Sequence, residues 1–269
     1  MLVKTIRNYI IQTPRLYKVV RFIYYNLHYI HIKRRLLGTR VFENEWAYRH
    51  EKNNERNRND WGYNRKDWIS AYWDSRFHPH RYYLLETISK YNPTRVLEIG
   101  CNCGPNLFLL AKRYPNAEIV GIDINSLAIE QGRILLAKEG ILNVKLLVGK
   151  ADDIDMLFDE SFDVIFTDGV LIYIGPDKIN DLAKKMVDYT EHALILMEWH
   201  CFYPSQDKSN GQGLYHLGYW IRDYKALFRA YTSLKNIKIT KISHDIWPER
   251  NWEHVGALIE LMLQKDDIS

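Results

Sequence analysis

Between residues 95 and 263, short apolar runs alternate with longer stretches whose apolar positions recur every three or four residues. The first five runs lie at 95–99, 118–122, 144–148, 162–167 and 193–199. Each has the length of a buried strand. The stretches at 105–113, 125–139 and 176–189 carry helical spacing. Five strands separated by helices predict a parallel sheet covered on both faces. The spacing predicts another helix over 220–231. Runs at 237–242 and 255–263 follow with no long helix between them, which predicts an antiparallel pair at one edge. Ahead of the first strand, Pro79 opens a helix that runs to about Tyr91, with Leu84, Leu85 and Ile88 inward. Asn92-Pro93-Thr94 ends it.

The upstream pattern differs. Thr13-Pro14 reads as an N-cap and first helical residue. Leu16, Val19, Val20, Ile23, Leu27 and Ile30 then form one stripe about 100° wide. Arg15, Lys18 and Arg21 fall on other faces, beside Phe22, Tyr25 and Tyr29. This mixture suits an interfacial helix on an anionic membrane surface. It also suits a helix that packs on its own domain, or on a twin subunit in a homodimer. Between 41 and 77, Asn53, Asn54, Asn57, Asn59 and Asn64 mix with charges, and Trp46, Trp61, Trp68 and Trp73 punctuate the segment. Asn this dense disfavours a long helix. The segment reads as an extension or lid attached through its aromatics. Three parts are expected: a basic amphipathic segment over 1–40, the Trp/Asn-rich segment over 41–77, and the α/β domain over 78–269.

Composition narrows the function classes. The chain has 269 residues, 46% hydrophobic and 26% charged, enough for a core without disulfide or metal staples. No apolar stretch approaches the length of a membrane-spanning helix. Cys101, Cys103 and Cys201 are too sparse for a disulfide framework and suggest a reducing compartment. Residues 1–40 carry nine Lys/Arg and no Asp or Glu, which leaves 28 Lys/Arg against 33 Asp/Glu in the rest. A basic head on an acidic body disfavours nucleic acid as a partner of the domain. The head lacks the uninterrupted apolar run and cleavage site of a secretory signal, because Arg21 and Asn26 break it. A transit peptide would share its basic, acid-poor character. A cytoplasmic location is expected, with peripheral attachment at the inner membrane face if the head binds lipid.

In an open α/β sheet, ligands bind at the carboxyl ends of the strands. Glu98-Ile99-Gly100-Cys101-Asn102-Cys103-Gly104-Pro105 follows the first strand, and Gly100 and Gly104 leave room for a ligand against the backbone. The next helix starts at Pro105, so its N–H groups face the same space. Asp123 ends the second strand, 23 residues after Gly100, where an acid can take both ribose hydroxyls. The loop lacks the second and third glycines of the nicotinamide fingerprint, and Glu98 would repel a pyrophosphate. A cationic nucleoside would tolerate that acid. Val96-Leu97-Glu98-Ile99-Gly100-x-x-x-Gly104, Val120-Gly121-Ile122-Asp123 and Phe162-Asp163-Val164-Ile165-Phe166 together resemble the class I S-adenosylmethionine-dependent methyltransferases over residues 78–263.

The resemblance implies a Rossmann-like α/β fold. Its seven-stranded, mostly parallel sheet would have order 3-2-1-4-5-7-6, with strand 7 antiparallel, and a helical N-terminal extension would be added to it. It also implies S-adenosyl-L-methionine as cofactor. Glu98, Gly100 and Gly104 would hold the methionine part, Asp123 the ribose, Ile124 the adenine face, and Ala151 and Asp152 the adenine edge. Relatives often carry Gly at position 102, where this chain has Asn102. Asn tolerates left-handed dihedrals, so the loop is expected to survive. Other readings are an NAD(P)-dependent oxidoreductase on a similar fold and a non-catalytic, membrane-associated nucleoside-binding protein.

Methyl transfer to a hydroxyl needs a positioned general base. His200 and His216 lead the candidates, because each stands in a polar-aromatic loop at the carboxyl edge. Asp168 follows the fourth strand and is a candidate for catalysis and for the cofactor; Tyr173 follows it. His78 and His80 precede the first core helix, and His80 could close the site over the ligand or cap the helix's first turn. Asp168 with Glu198 or His200 could hold Mg²⁺, as metal-assisted relatives do. Cys101-x-Cys103 lacks a further pair at zinc spacing, and no metal is expected. Trp199, Tyr203, Tyr215, Tyr219 and Trp220 could line an aromatic pocket. The acceptor expected is a small molecule, a sugar or a lipid-linked glycan, methylated at oxygen. Arg222-Asp223 reads as a structural pair at a helix start.

Overall fold

The computed structural model describes residues 13–49, 68–203 and 209–263. The expectations for Trp61 and for Asn53 through Asn64 lie outside the described residues. The elements, in chain order, are α1 (Pro14–Leu27), α2 (Tyr29–Leu37), α3 (Thr39–Ala47), α4 (Trp68–Asp74), α5 (Pro79–Ser89), β1 (Arg95–Ile99) and α6 (Pro105–Arg113). Next come β2 (Glu118–Asp123), α7 (Ser126–Lys138), β3 (Val144–Val148), α8 (Ile154–Leu157), β4 (Phe162–Asp168), α9 (Ile179–Asp188) and β5 (Thr190–Trp199). The chain closes with β6 (Leu214–His216), β7 (Tyr219–Ile221), α10 (Tyr224–Phe228), β8 (Ile237–Lys241), α11 (Arg250–Val255) and β9 (Gly256–Met262).

Seven strands form one sheet in the order β3-β2-β1-β4-β5-β9-β8. The first five are parallel, and β9 runs antiparallel to both β5 and β8. Because β6 and β7 form a separate hairpin, this is the order and the antiparallel strand that the resemblance implied. Side chains alternate between the two faces with the period of two that a pleated strand imposes. Val96, Ile119, Phe166 and Ile195 belong to the core under α5 and α6. Leu97, Val120, Ile165 and Leu194 belong to the opposite core, under α9. Glu98 and Asp168 share parity with Val96 and Phe166. Glu198 shares parity with Leu194 and Leu196. The central strands are buried on both faces, so they read as continuous apolar runs.

Two sequence expectations are corrected. The helix expected over 220–231 is instead strand β7 followed by the short α10. Leu217 and Gly218 both have left-handed backbone, with φ of 50° and 94°, as the two-residue turns that match strand twist require. Asp223 then starts α10 by accepting from the amides of Lys225 and Ala226 at 3.0 and 3.3 Å. The single N-terminal helix also breaks, at His28, whose ψ of 129° is extended. Among the described residues no helix is long and apolar enough to cross a membrane.

The upstream helices rest on the sheet domain. Asp177 accepts from the amide and the hydroxyl of Thr39 at 3.0 and 2.9 Å, and that hydroxyl accepts from the amide of Gly175 at 2.7 Å. Phe42 is buried against Tyr173 and Tyr219, with ring centroids 5.5 and 6.5 Å away. On α2, His31 Nδ1 lies 3.0 Å from the Tyr215 hydroxyl of the hairpin. On α4, Trp73 belongs to the same core as α6 and packs edge-on against Phe108 at 5.5 Å.

Candidate active site

One cavity of about 800 Å³ opens at the carboxyl ends of β1, β2 and β4. Gly100, Asn102, Asp123, Ile124, Gly149 and Ala151 line its sheet side. Trp46, Trp68, Tyr173, Trp199, Tyr219 and Trp247 line its aromatic side. The volume is within the range of small-ligand sites.

The loop after β1 shapes the sheet side. Gly100 has φ of +75°, and a Cβ there would sit 2.3 Å from Val170 Cγ2. Only glycine can turn the chain at that point. Asn102 follows with φ of 52°. Its side-chain oxygen accepts from the amide of Cys103 at 2.8 Å, a local bond that supports the left-handed conformation. Its own amide donates to Asp123 Oδ2 at 2.8 Å, and the amide of Asn125 donates to Asp123 Oδ1 at 2.8 Å. Asp123 therefore aligns two loops and still presents lone pairs to the cavity. Burial raises its pKa against those two bonds.

A buried polar chain runs from Glu98 and Asn106, behind the cavity wall, into the lining itself. Asn106, near the N-terminus of α6, donates to Glu98 Oε1 at 2.7 Å and to Asp168 Oδ2 at 3.1 Å. Arg81 donates to Asp168 Oδ2 and to Asn106 Oδ1 at 3.1 and 2.9 Å. His80 Nε2 lies 3.1 Å from the same Asp168 oxygen. The Nδ1 atoms of His80 and His78 are 2.5 Å apart, and His78 Nδ1 also faces the amide of His80 at 3.4 Å. Trp247 stacks on His80 with centroids 3.9 Å apart, and Trp252 stacks on Trp247 at 3.8 Å. Burial alone would raise the pKa of Asp168. His80, Arg81 and Asn106 overcome it and hold the carboxyl well below its usual range. Burial lowers His80 to about 4 against the pull of Asp168. The pair is best described as an ionised Asp168 beside a neutral His80. Burial pushes Glu98 up to about 8 despite its bond from Asn106.

The structure separates the residues expected at the site. Gly100, Asn102, Asp123, Ile124, Ala151 and Asp168 all line the cavity. Glu98 and Gly104 stand behind that lining. Asp152 does not line it either; its carboxylate takes Lys178 Nζ at 2.7 Å, and Lys178 also holds Glu43 at 2.6 Å. His200 and His216, the leading base candidates, are both outside the lining. His200 is buried, with its ring packed on Phe202 and Tyr224. His216 belongs to hairpin strand β6. Of the expected aromatic wall, Trp199 and Tyr219 line the cavity, while Tyr203, Tyr215 and Trp220 do not.

Glu198 is a structural clamp. It accepts from the Thr167 hydroxyl at 2.7 Å and from the amides of Val170, Leu171 and Ile172 at 2.8, 3.0 and 3.3 Å. Buried Arg222 holds the same turn from its carbonyl side, through Leu171 at 2.6 Å and Ile174. Arg81, Asn106, Trp247 and Trp252 were not singled out from sequence as site residues. Asn106 had a signal, being polar at the start of an otherwise apolar helix. The string His78-Pro79-His80-Arg81 had another, with three ionisable side chains around a helix start.

Comparisons with known proteins agree with this geometry. Residues 91–197 match a family described as a methyltransferase domain. An uncharacterized protein of Rickettsia prowazekii is 31% identical over 122 residues, covering 41% of this chain and 48% of its own. Phosphoethanolamine N-methyltransferase 3 of Arabidopsis thaliana is 30% identical over 126 residues, covering 46% of this chain and 25% of its own. The chain therefore spans about half or less of these relatives. The plantazolicin methyltransferase BpumL, solved with a triazolic desmethylPZN analog and S-adenosylhomocysteine, shares the fold. Its TM-score is 0.54 and its identity 15%, over 84% of this chain and 98% of that one. Residues 91–197 thus resemble a methyltransferase domain, and the likeness to BpumL shows that the sheet domain has the same fold.

The residues present fit S-adenosylmethionine as cofactor. Asp168 Oδ1 and Glu98 Oε2 are buried without a hydrogen-bond partner. Unpaired buried carboxylate oxygens are costly, and a cationic ligand would satisfy the one on Asp168, which lines the cavity. Asp123 would hold the ribose hydroxyls, and Ile124 and Ala151 would hold the adenine.

Proposed function

We propose that this chain moves the methyl group of S-adenosylmethionine to an oxygen of a small-molecule, sugar or lipid-linked glycan acceptor. One observation carries the reading: the nucleoside-type loops and the His78–His80–Asp168 chain share a single cavity with an aromatic wall. A relative named for phosphoethanolamine methylation supports an acceptor of modest size. When bound, the cofactor supplies a methyl group on a positively charged sulfur, open to in-line attack. The protein supplies position and a proton acceptor. Asp168 holds the Nε2–H of His80 and fixes its tautomer, so His80 Nδ1 presents its lone pair to His78. His78 is the less buried end of the chain and lines the cavity. It takes the acceptor proton as the hydroxyl becomes acidic on methylation. Asp168 stabilises the positive charge that then spreads over the two rings, as the carboxylate of a catalytic triad does.

Titration calorimetry with S-adenosylhomocysteine and with NAD⁺ tests the cofactor, and label transfer from methyl-labelled S-adenosylmethionine tests the reaction. The expected result is binding of S-adenosylhomocysteine alone, with transfer into sugars or lipid-linked glycans. His78→Gln should lower turnover by about 10²-fold or more and leave S-adenosylhomocysteine binding unchanged. Binding of NAD⁺ instead overturns the reading. Unchanged turnover in both His78→Gln and His80→Gln overturns the assignment of the base.

A further inference from the structure

We infer that the acceptor is an amphiphile drawn from an anionic membrane surface, and that α1 is the face on which that surface docks. The inference rests on the methyltransferase reading and names the substrate class of the same site. Three observations carry it.

The first is a continuous apolar path. Val20 and Tyr24, one turn apart on α1, line the cavity. At 100° per residue, Leu16, Ile23 and Leu27 fall with them inside a sector about 100° wide. Ile23 is 49% exposed and Leu27 69% exposed. The stripe that forms part of the cavity wall thus runs on without interruption into solvent. An apolar chain could lie along it while its polar head reaches the strand ends.

The second is the amount of apolar surface left uncovered. Val19, Phe22, Leu27, Tyr29, Leu36 and Leu37 are each between 54 and 75% exposed. They belong to two consecutive short helices, α1 and α2. Exposed apolar patches mark interaction sites.

The third is charge. No Asp or Glu occurs from residue 1 to residue 42, and Arg15 on α1, Arg35 on α2 and Arg40 at the start of α3 are exposed. Lys33 lies over the Tyr29 ring, 4.7 Å from its centroid, a cation held against an aromatic face. Exposed apolar residues flanked by cations, with no anion among them, complement an anionic lipid surface. A protein partner would need its own acidic, apolar face. A second copy would bring like charges together.

Flotation of the full chain with vesicles tests the docking. Vesicles of phosphatidylglycerol and phosphatidylcholine in equal parts should carry the protein upward. Phosphatidylcholine alone should carry about tenfold less. Ile23→Asp with Leu27→Asp, at positions outside the cavity lining, should cut partition by at least about tenfold. S-adenosylhomocysteine binding should be unchanged in that variant, which shows that it is folded. Label from methyl-labelled S-adenosylmethionine should enter the organic phase of a total lipid extract. Flotation of the double variant equal to that of the wild type overturns the inference. So does a dimer in sedimentation that the double variant dissociates, since a second copy would then cover α1. Label confined to water-soluble products overturns the amphiphile. Loss of S-adenosylhomocysteine binding in the wild type, with flotation intact, strikes the methyltransferase reading and not the docking.

Discussion

Glu98 and His80 are packed into the same buried chain, and burial moves their titrations in opposite directions. Glu98 stays protonated in the native state up to about 8, whereas an unfolded Glu ionises near its ordinary value of about 4.3. The native state then binds more protons, so this group makes stability fall as pH rises across that window. His80 stays neutral down to about 4, whereas an unfolded His protonates near about 6.5. The unfolded state binds more protons there, so this group makes stability rise with pH up to that point. The two slopes oppose each other below about 6.5 and leave Glu98 acting above it, joined by Glu198, which burial holds at about 7. Between pH 7 and 8 the thermal midpoint should fall, and Glu98→Gln should flatten that fall. An identical slope in the variant would show that Glu98 is not the group responsible. Residue-level legibility followed parity along the strands. Asp123 was readable because it ends a strand at the expected interval. His200 falls outside the lining because Trp199 already faces the cavity, and the pleat sends its neighbour to the other side.

The turn after β4 is an element held by side chains distant in sequence. Glu198 gathers its amides and Arg222 its carbonyls, and together they set Val170 and Tyr173 at the cavity wall. A glutamine at 198 can accept with one oxygen only, and its NH₂ group would face the amides of the turn. Glu198→Gln should therefore lower stability by about 1–3 kcal/mol. It should also raise the acceptor KM more than it lowers S-adenosylhomocysteine affinity, because Asp123 is held by loop amides outside that turn. Chemical denaturation and steady-state kinetics check the two halves. Equal loss of both affinities would mean that the turn serves the cofactor as well. The seven sheet strands were legible because each is a short apolar run between helical stretches. The hairpin was not, because Trp220, Ile221, Tyr224, Leu227 and Phe228 fit helical spacing as well as they fit a strand plus a short helix. The left-handed pair Leu217-Gly218 decided between them, and one glycine among aromatics is a weak signal.

At the scale of the whole molecule, the cavity is assembled from segments more than two hundred residues apart, from Val20 to Trp252. Its sheet side was legible, because strand ends and glycines announce it. Its aromatic side was only partly legible: Trp199, Tyr219 and Tyr173 had been placed near the site, but Trp247 and Trp252 come from the connection before the last strand. Nothing local in the sequence shows that this connection folds back over His80. Asp123 joins the two scales, because it bonds two loop amides and faces the cavity. S-adenosylhomocysteine at 100 times its Kd should stabilise the wild type by about 2.7 kcal/mol. Asp123→Ala should abolish that gain and also lower the midpoint of the free protein, because the amides of Asn102 and Asn125 lose their acceptor. Asp123→Asn keeps a single acceptor oxygen for the loops and the ribose together. It should recover part of the free-protein midpoint and still lose most of the ligand-induced rise. Differential scanning calorimetry of the three proteins, with and without ligand, separates the roles. A full ligand-induced rise in Asp123→Ala would remove Asp123 from the cofactor site and leave it only the task of joining the loops.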